Sequence, residues 1–136
     1  MKERTKGWIE FVKRDLASAR ELLKNEYLTN VVLFHCQQAV EKVLKAVLEE
    51  KSLKVPRIHS VIKLYYEYVP TAIQEQLHFS EINLEKIDDI YLDGRYPDTA
   101  NGILPEGFPT KEDAEEIFQM ASGIVNRTIN FLESEK

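Results

Sequence analysis

The residues best suited to bind an anion stand together at Arg95-Tyr96-Pro97-Asp98. An arginine guanidinium can hold a phosphate through two parallel hydrogen bonds, and a tyrosine ring offers a face to a nucleotide base. The same residues also have a structural interpretation, in which Arg95 pairs with Asp93 or Asp98 at a helix end and Tyr96 packs as a lid. Both interpretations stay open, and Arg95 and Tyr96 are our first nucleotide- or phosphate-binding candidates.

A second group of chemically capable residues surrounds His59, which lies between Arg57 and Lys63. Because histidine changes charge near neutral pH, His59 in this basic setting can contact a phosphate or transfer a proton. The alternative places it in the N-cap region of a helix, where its ring donates to a backbone carbonyl. His35 is expected to be a satisfied core or interface histidine, and His78 stands alone.

Polar side chains also follow one face of an otherwise apolar helix. Residues 31–48 are apolar almost all round, which is typical of a helix at the centre of a bundle. A line of polar residues, here called the polar seam, steps along it by three and four: His35, Gln38, Lys42, Lys45 and Glu49. Buried polar groups need partners. We expect Asp15 to pair with Lys42 or Lys45 across the bundle, while Lys42 remains a phosphate-binding candidate.

Other kinds of site are not indicated by the sequence. No cysteine and histidine cluster has zinc-site spacing, and neither a glycine-rich phosphate loop nor a nucleophile motif is present. The single cysteine, Cys36, has apolar neighbours and is expected to behave as a small hydrophobe. We therefore predict no metal, no cofactor and no catalytic residue.

Composition and charge narrow the class of protein. The 136 residues suit one domain, and the net charge of −5 argues against strong general nucleic-acid binding. No apolar run reaches the roughly 18 residues of a membrane span, and the N-terminus does not resemble a signal peptide. A cytoplasmic protein without membrane contact is expected.

Helical periodicity runs through the chain between a few glycine and proline breakers. Five helices are predicted, with a break in the fourth near Phe79-Ser80: about 5–26, 29–51, 60–69, 71–92 and from 110 onward. Side-chain caps are predicted for three of them: Thr29 or Asn30, Thr71 with Gln74, and Thr110 with Asp113. The fold class is all-α, an antiparallel up-and-down helical bundle.

The bundle is expected to be a single domain over 1–136 with one long loop at about 94–109. Structureless loops of more than about 12–15 residues are uncommon in compact domains and are often functional.

The ordered motifs of this chain resemble the HEPN domain family over nearly its whole length. The strongest match is to the family's second helix, with Gln37-Gln38-Ala39 followed by Glu41-Lys42 and Leu44-Lys45-Ala46. Three further segments agree in order and spacing: Trp8 with Asp15-Leu16 and Ala19, then His59-Ser60, then Asp93 to Pro97.

The resemblance implies a helical bundle and raises the question of ribonuclease activity. Many HEPN domains cleave RNA with an arginine followed after four to six residues by a histidine. No arginine of this chain has a histidine five to seven positions after it. The resemblance then favours a non-catalytic subunit that binds a nucleotide or phosphate, dimerises, and acts with a minimal nucleotidyltransferase in a toxin–antitoxin or substrate-handling pair.

Two alternatives remain. One is an RNA-cleaving toxin of altered chemistry, in which Arg95 works with His59 or His35; the other is an adaptor bundle that only contacts proteins. A homodimer is expected in each case, because the apolar second helix and the many tyrosines exceed what one small bundle needs to bury.

Overall fold

The computed structural model describes residues 1–93 and 108–135. Its helices are α1 Glu3–Leu22, α2 Thr29–Glu50, a short α3 Val61–Lys63 that continues as a π-helical turn Leu64–Tyr68, α4 Thr71–Leu77, α5 Glu81–Asp93 and α6 Lys111–Ser134. No strand occurs in these two ranges. The all-α helical bundle predicted from the sequence is confirmed. The predicted loop falls mostly on 94–107, outside the described residues.

Helix α2 is the centre of the bundle, as its apolar surface predicted. It packs against α1, α5 and α6, and its apolar side chains from Val32 to Leu48 are almost entirely inaccessible. Helix α1 runs antiparallel to α2, since Arg4 reaches Glu49 and Asp15 reaches Lys42. Helix α6 runs in the same direction as α2, because contacts join the starts of the two helices and also join their ends.

The break predicted near Phe79-Ser80 is confirmed and divides the fourth helix into α4 and α5. His78 adopts a left-handed backbone conformation (φ 51°) that ends α4. The Tyr65 hydroxyl donates to the Gln74 carbonyl (2.8 Å) and accepts from the Phe79 N–H (3.3 Å). This buried hydroxyl satisfies the Phe79 N–H that the break releases. The described ranges hold six α-helices rather than the five helices predicted.

The predicted caps had mixed outcomes. Thr110 and Asp113 form the predicted capping box at the start of α6. The other two predictions were wrong: α2 begins after Leu28 without a side-chain cap, and α4 begins after Pro70 without one. The Thr29 hydroxyl instead donates to the Pro109 carbonyl (2.7 Å), which joins the starts of α2 and α6.

Candidate functional site

Asp15 and the polar seam meet where α1 packs on α2. Lys42 Nζ donates to Asp15 Oδ2 at 2.7 Å, and His35 Nδ1 lies 2.9 Å from Asp15 Oδ1. The Asp15 carboxylate therefore contacts the ammonium of Lys42 and the imidazole of His35, which lie on separate turns of α2. The predicted pairing of Asp15 with Lys42 is confirmed, and His35 is satisfied by the same carboxylate. We call these three residues the Asp15 cluster.

Aromatic side chains of α1 cover the lysines of the seam. Lys42 Nζ lies 5.5 Å from the centre of the Phe11 ring, and Lys45 Nζ lies 6.0 Å from the centre of the Trp8 ring. Both distances allow cation–π attraction. Phe11 is 61% exposed, so Lys42 lies between an exposed ring and a carboxylate. Its ammonium is therefore less available to a phosphate than the sequence alone indicated.

A second carboxylate cluster is buried one helix face away. Glu41 Oε2 accepts from Lys45 Nζ at 3.0 Å, and Glu41 Oε1 accepts from Gln37 Nε2 at 3.2 Å. The Glu41 and Lys45 side chains are only 5% and 8% exposed. Gln38 Nε2 donates to Gln37 Oε1 at 2.7 Å, which completes the polar contacts of the amide.

Sequence analysis assigned Glu41 and Gln37 to no site, although a signal for them was present. Gln37, Glu41 and Lys45 are spaced four residues apart, so they form a second line of polar residues that meets the polar seam at Lys45. An acidic residue four positions before a lysine in an apolar helix indicates an internal ion pair.

His59 lies against this second cluster. Its Nδ1 is 3.3 Å from Glu41 Oε1, while its backbone carbonyl accepts from Gln37 Nε2 at 2.9 Å. The ring is half exposed, and Glu41 contacts it through Nδ1. We call Gln37, Glu41, Lys45 and His59 the Glu41 cluster. A carboxylate that orients an imidazole is an arrangement suited to proton transfer or anion contact.

Asp88 of α5 fixes the residues that follow His59. Its Oδ1 accepts from the Val61 N–H at 2.7 Å, and its Oδ2 accepts from the Ser60 hydroxyl at 3.1 Å. Ser60 itself caps α3 by accepting from the Lys63 N–H at 3.1 Å. The position of His59 is thus set by α2 on one side and α5 on the other.

Cys36 lies inside the core beside the Asp15 cluster. Burial, and secondarily the negative charge of Asp15, raises the pKa of its thiol to about 12. A thiol with so high a pKa stays protonated at neutral pH and is a poor nucleophile. This agrees with the expectation that Cys36 acts as a small hydrophobe.

Of the four predicted binding residues, the structure describes two, Lys42 and His59. Lys42 belongs to the Asp15 cluster and His59 to the Glu41 cluster, so their side chains face different carboxylates. Arg95 and Tyr96 lie outside the described residues. In the part of the chain that the structure covers, no three histidine, cysteine or acidic side chains are grouped to hold a metal ion. None of the helices described there is both long and apolar enough to cross a membrane.

Comparison with known proteins places these features in a family. The profile of the HEPN domain matches residues 5–132. The candidate toxin MJ1304 of Methanocaldococcus jannaschii is 31% identical over 134 residues, which span 92% of this chain and 88% of the relative.

Two crystal structures share the architecture. ST0689, an archaeal HEPN homologue, is 28% identical with a TM-score of 0.69, over 96% of this chain and 98% of its own. TT1696 from Thermus thermophilus is 25% identical with a TM-score of 0.74, over 95% of this chain and 98% of its own. The fold similarity therefore extends over nearly all of each molecule.

Proposed function

Because this chain belongs to the HEPN domain family, we propose that it is a binding subunit that lacks the family's usual catalytic pair and acts with a minimal nucleotidyltransferase. Its ligand is a nucleotide or another phosphate group, and the two proteins form a toxin–antitoxin or substrate-handling pair. The chain contributes recognition, and its partner contributes the chemistry.

The observation that carries this proposal is the arrangement of arginine and histidine along the whole chain. Six arginines and three histidines are present, and no arginine is followed by a histidine at the spacing that family ribonucleases use. Histidines that the structure describes have other neighbours. His35 is held by Asp15 and His59 by Glu41.

The relatives support the pairing with a second protein. MJ1304 is named as a candidate toxin, and a toxin is ordinarily controlled by a partner that neutralises it. A nucleotidyltransferase is a suitable partner for a domain that presents a nucleotide or receives a nucleotide. The partner surface and the ligand site need not coincide.

The candidate binding residues have different roles in this proposal. Arg95 supplies a guanidinium for phosphate and Tyr96 a ring for the base. His59 offers an imidazole already oriented by Glu41. Lys42 would first have to exchange the Asp15 carboxylate for the ligand, so it is the weakest of the four.

We also propose a homodimer, although on different grounds from those in the sequence. Most of the apolar surface of α2 is buried within one chain and leaves little for a second copy to cover. Tyr65 is buried as well. Support comes instead from exposed aromatic rings, namely Phe11, Tyr27, Tyr66 and Phe108, since aromatic side chains are enriched at interfaces.

Co-purification and calorimetry test the proposal together. The chain is expressed with a minimal nucleotidyltransferase, and the mass of the complex is measured by light scattering. Nucleotide binding is then measured for wild type and Arg95→Ala, using ATP and the other nucleoside triphosphates. A stable complex, with nucleotide affinity reduced at least tenfold in the variant, is expected. A chain that forms no complex and binds no nucleotide contradicts the proposal.

An RNA-cleaving toxin of altered chemistry is the second candidate, and the Glu41–His59 pair favours it. A histidine oriented by a carboxylate is the usual form of a general base. Purified protein incubated with RNA distinguishes this candidate: cleavage that disappears in both His59→Gln and Arg95→Ala supports it. Intact RNA after prolonged incubation with the pure protein excludes it.

A further inference from the structure

The connection between α2 and α3 is fixed at both of its ends. At the first end, the Leu53 N–H donates to the Leu48 carbonyl at 2.9 Å. At the other, the His59 carbonyl accepts from Gln37, and Asp88 receives the hydrogen bonds of the next two residues. Residues 51–60 are therefore an ordered segment of extended and turn structure rather than a loose loop.

Side chains in this segment are divided between inside and outside. Pro56 is buried, and Val55 and Ile58 pack against the core. Lys54 and Arg57 are exposed, as is about half of the His59 ring. The apolar residues thus anchor the segment to the core, whereas the basic side chains are exposed to solvent. Lys63, in α3, is another exposed basic residue and follows His59 by four positions.

The charge of this region differs from that of the molecule. Residues 51–66 contain no acidic residue, although the chain as a whole has a net charge of −5. The two carboxylates that reach the segment from other helices are already engaged. Glu41 is paired with Lys45, and Asp88 accepts from Ser60 and Val61.

The basic side chains of this segment also lack counter-charges among the described residues. Among the described residues, Lys54, Arg57 and Lys63 form no ion pair. Most other cations have a carboxylate partner there: Arg4, Lys6, Arg14, Lys24, Lys42, Lys45, Lys51 and Lys86. An unpaired cation on a fixed backbone can bind an anion without first breaking a salt bridge, and loses little conformational freedom in doing so.

We propose that Lys54, Arg57, His59 and Lys63 form a binding surface for the phosphate groups of a nucleotide or an RNA strand. The proposal rests on the phosphate-binding part of the proposed function and assigns that role to residues other than Arg95 and Tyr96. Arg57 is suited to bidentate contact with a phosphate, and the two lysines act as point charges beside it. His59, oriented by Glu41, adds an imidazole that lies between Arg57 and Lys63 in the sequence. Three cationic side chains can bind more than one phosphate group.

A matched pair of double variants tests the surface. Arg57→Gln/Lys63→Gln removes two of its charges. Lys13→Gln/Lys111→Gln removes two exposed charges elsewhere that likewise have no ion pair among the described residues. Both variants change the net charge equally, so a general electrostatic effect appears in both. Binding of ATP is measured by calorimetry, and binding of a short fluorescent single-stranded RNA by anisotropy at several salt concentrations.

We expect Arg57→Gln/Lys63→Gln to lower affinity at least tenfold, while the control double variant stays within about twofold of wild type. If RNA is the ligand, the slope of log affinity against log salt decreases by about 1.4, since each single-strand phosphate contact contributes about 0.7. Loss of ATP binding, with RNA binding absent throughout, identifies a nucleotide as the source of the phosphate. Melting temperatures establish that the variants fold; Lys54→Gln/Arg57→Gln serves as a second test of the same surface.

Several results would contradict the proposed phosphate surface, and they distinguish its failure from failure of the proposed function. Equal affinities of the two double variants show that removing charge from the proposed surface has no more effect on binding than removing it elsewhere. Binding that is lost in Arg95→Ala but unchanged in Arg57→Gln/Lys63→Gln moves the site to Arg95 and leaves the proposed function intact. If wild type binds neither ATP nor RNA but still forms the nucleotidyltransferase complex, the phosphate surface is wrong and only the partner-binding role stands.

Discussion

Helix α2 and the connection that follows it differ in whether their basic side chains have a carboxylate partner. Along α2, each buried or half-buried lysine has a carboxylate within 3.0 Å: Lys42 meets Asp15, and Lys45 meets Glu41. Beyond residue 53, Lys54, Arg57 and Lys63 are exposed and have no ion-pair partner among the described residues. Paired charges inside a bundle fix how helices meet, whereas unpaired charges on a fixed surface are available to a ligand.

Two histidines with similar hydrogen bonds lie in different surroundings. Both His35 and His59 are held by a carboxylate that also serves a lysine of α2. His35 lies between α1 and α2, where its neighbours are Phe34 and the core. His59 lies at the edge of the basic connection, with half of its ring outside. Position relative to the unpaired cations, rather than the immediate hydrogen bond, distinguishes the two histidines, and only His59 belongs to the proposed phosphate surface.

The largest expected effect comes from the buried ion pair of α2. In Glu41→Gln, Lys45 keeps its charge without a counter-charge in a site only 8% exposed. We expect the free energy of unfolding to fall by about 3–5 kcal/mol, as when one partner of a buried pair is removed. Urea denaturation monitored by circular dichroism measures this.

Glu10→Gln is the matched control, because Glu10 pairs with Arg14 at the same four-residue spacing on an exposed face. It should change stability by less than about 0.5 kcal/mol. The double variant Glu41→Gln/Lys45→Met should regain much of the lost stability, since no charge is then buried. Equal effects of Glu41→Gln and Glu10→Gln contradict a structural role for the Glu41 cluster.

A smaller loss is expected at the Asp15 cluster. Asp15→Ala leaves Lys42 and His35 without their carboxylate, but Lys42 is 22% exposed and can reach water. We expect a loss of about 1–3 kcal/mol, the usual result of leaving a partly buried polar group unsatisfied. Thermal unfolding compares it with Glu21→Ala, which removes an exposed ion pair with Lys24. Identical melting temperatures for the two variants count against the pairing.

Glu50 marks the boundary between the two regions and gives a pH-dependent test. The Lys2 N–H, which donates to its carboxylate at 3.0 Å, lowers the pKa of Glu50, and the Thr5 hydroxyl adds to this. A lowered pKa in the folded state means stability that is present above the ordinary value of 4.5 and is lost as the pH falls below it.

Unfolding measured from neutral pH downward should therefore show an acid-dependent loss that is shallower in Glu50→Gln than in wild type. Glu115→Gln, at an exposed position of α6, should keep the wild-type slope. Superimposable curves for wild type and Glu50→Gln would mean that the contact with Lys2 does not persist in solution.

The smallest expected effect is on the stability of the connection itself. Arg57→Gln/Lys63→Gln removes charges that contact no carboxylate among the described residues. Its free energy of unfolding should stay within about 0.5 kcal/mol of wild type, as for surface substitutions generally. A large loss would show that these cations stabilise the bundle, and the contrast between the two regions would then fail.

The helices and the identity of the central one could be predicted from the order of residues. Three- and four-residue periodicity predicts each long helix, and the all-round apolar surface of residues 31–48 predicts burial, because both depend only on local spacing. The break near Phe79 and the Thr110–Asp113 capping box are local features as well. The pairing of Asp15 with Lys42 was also predictable, since a polar seam inside a bundle must find a partner on its neighbour.

Which polar groups face each other depends on how the helices pack. The wrong cap at Thr29 arose because its hydroxyl bonds to Pro109, eighty residues later in the chain, and no local pattern predicts such a contact. Glu41 was missed because its burial depends on where α1 and the 51–60 segment lie. The contrast between paired and unpaired lysines likewise exists only once helices are packed, since a sequence contains the number of charges but not the distances between them.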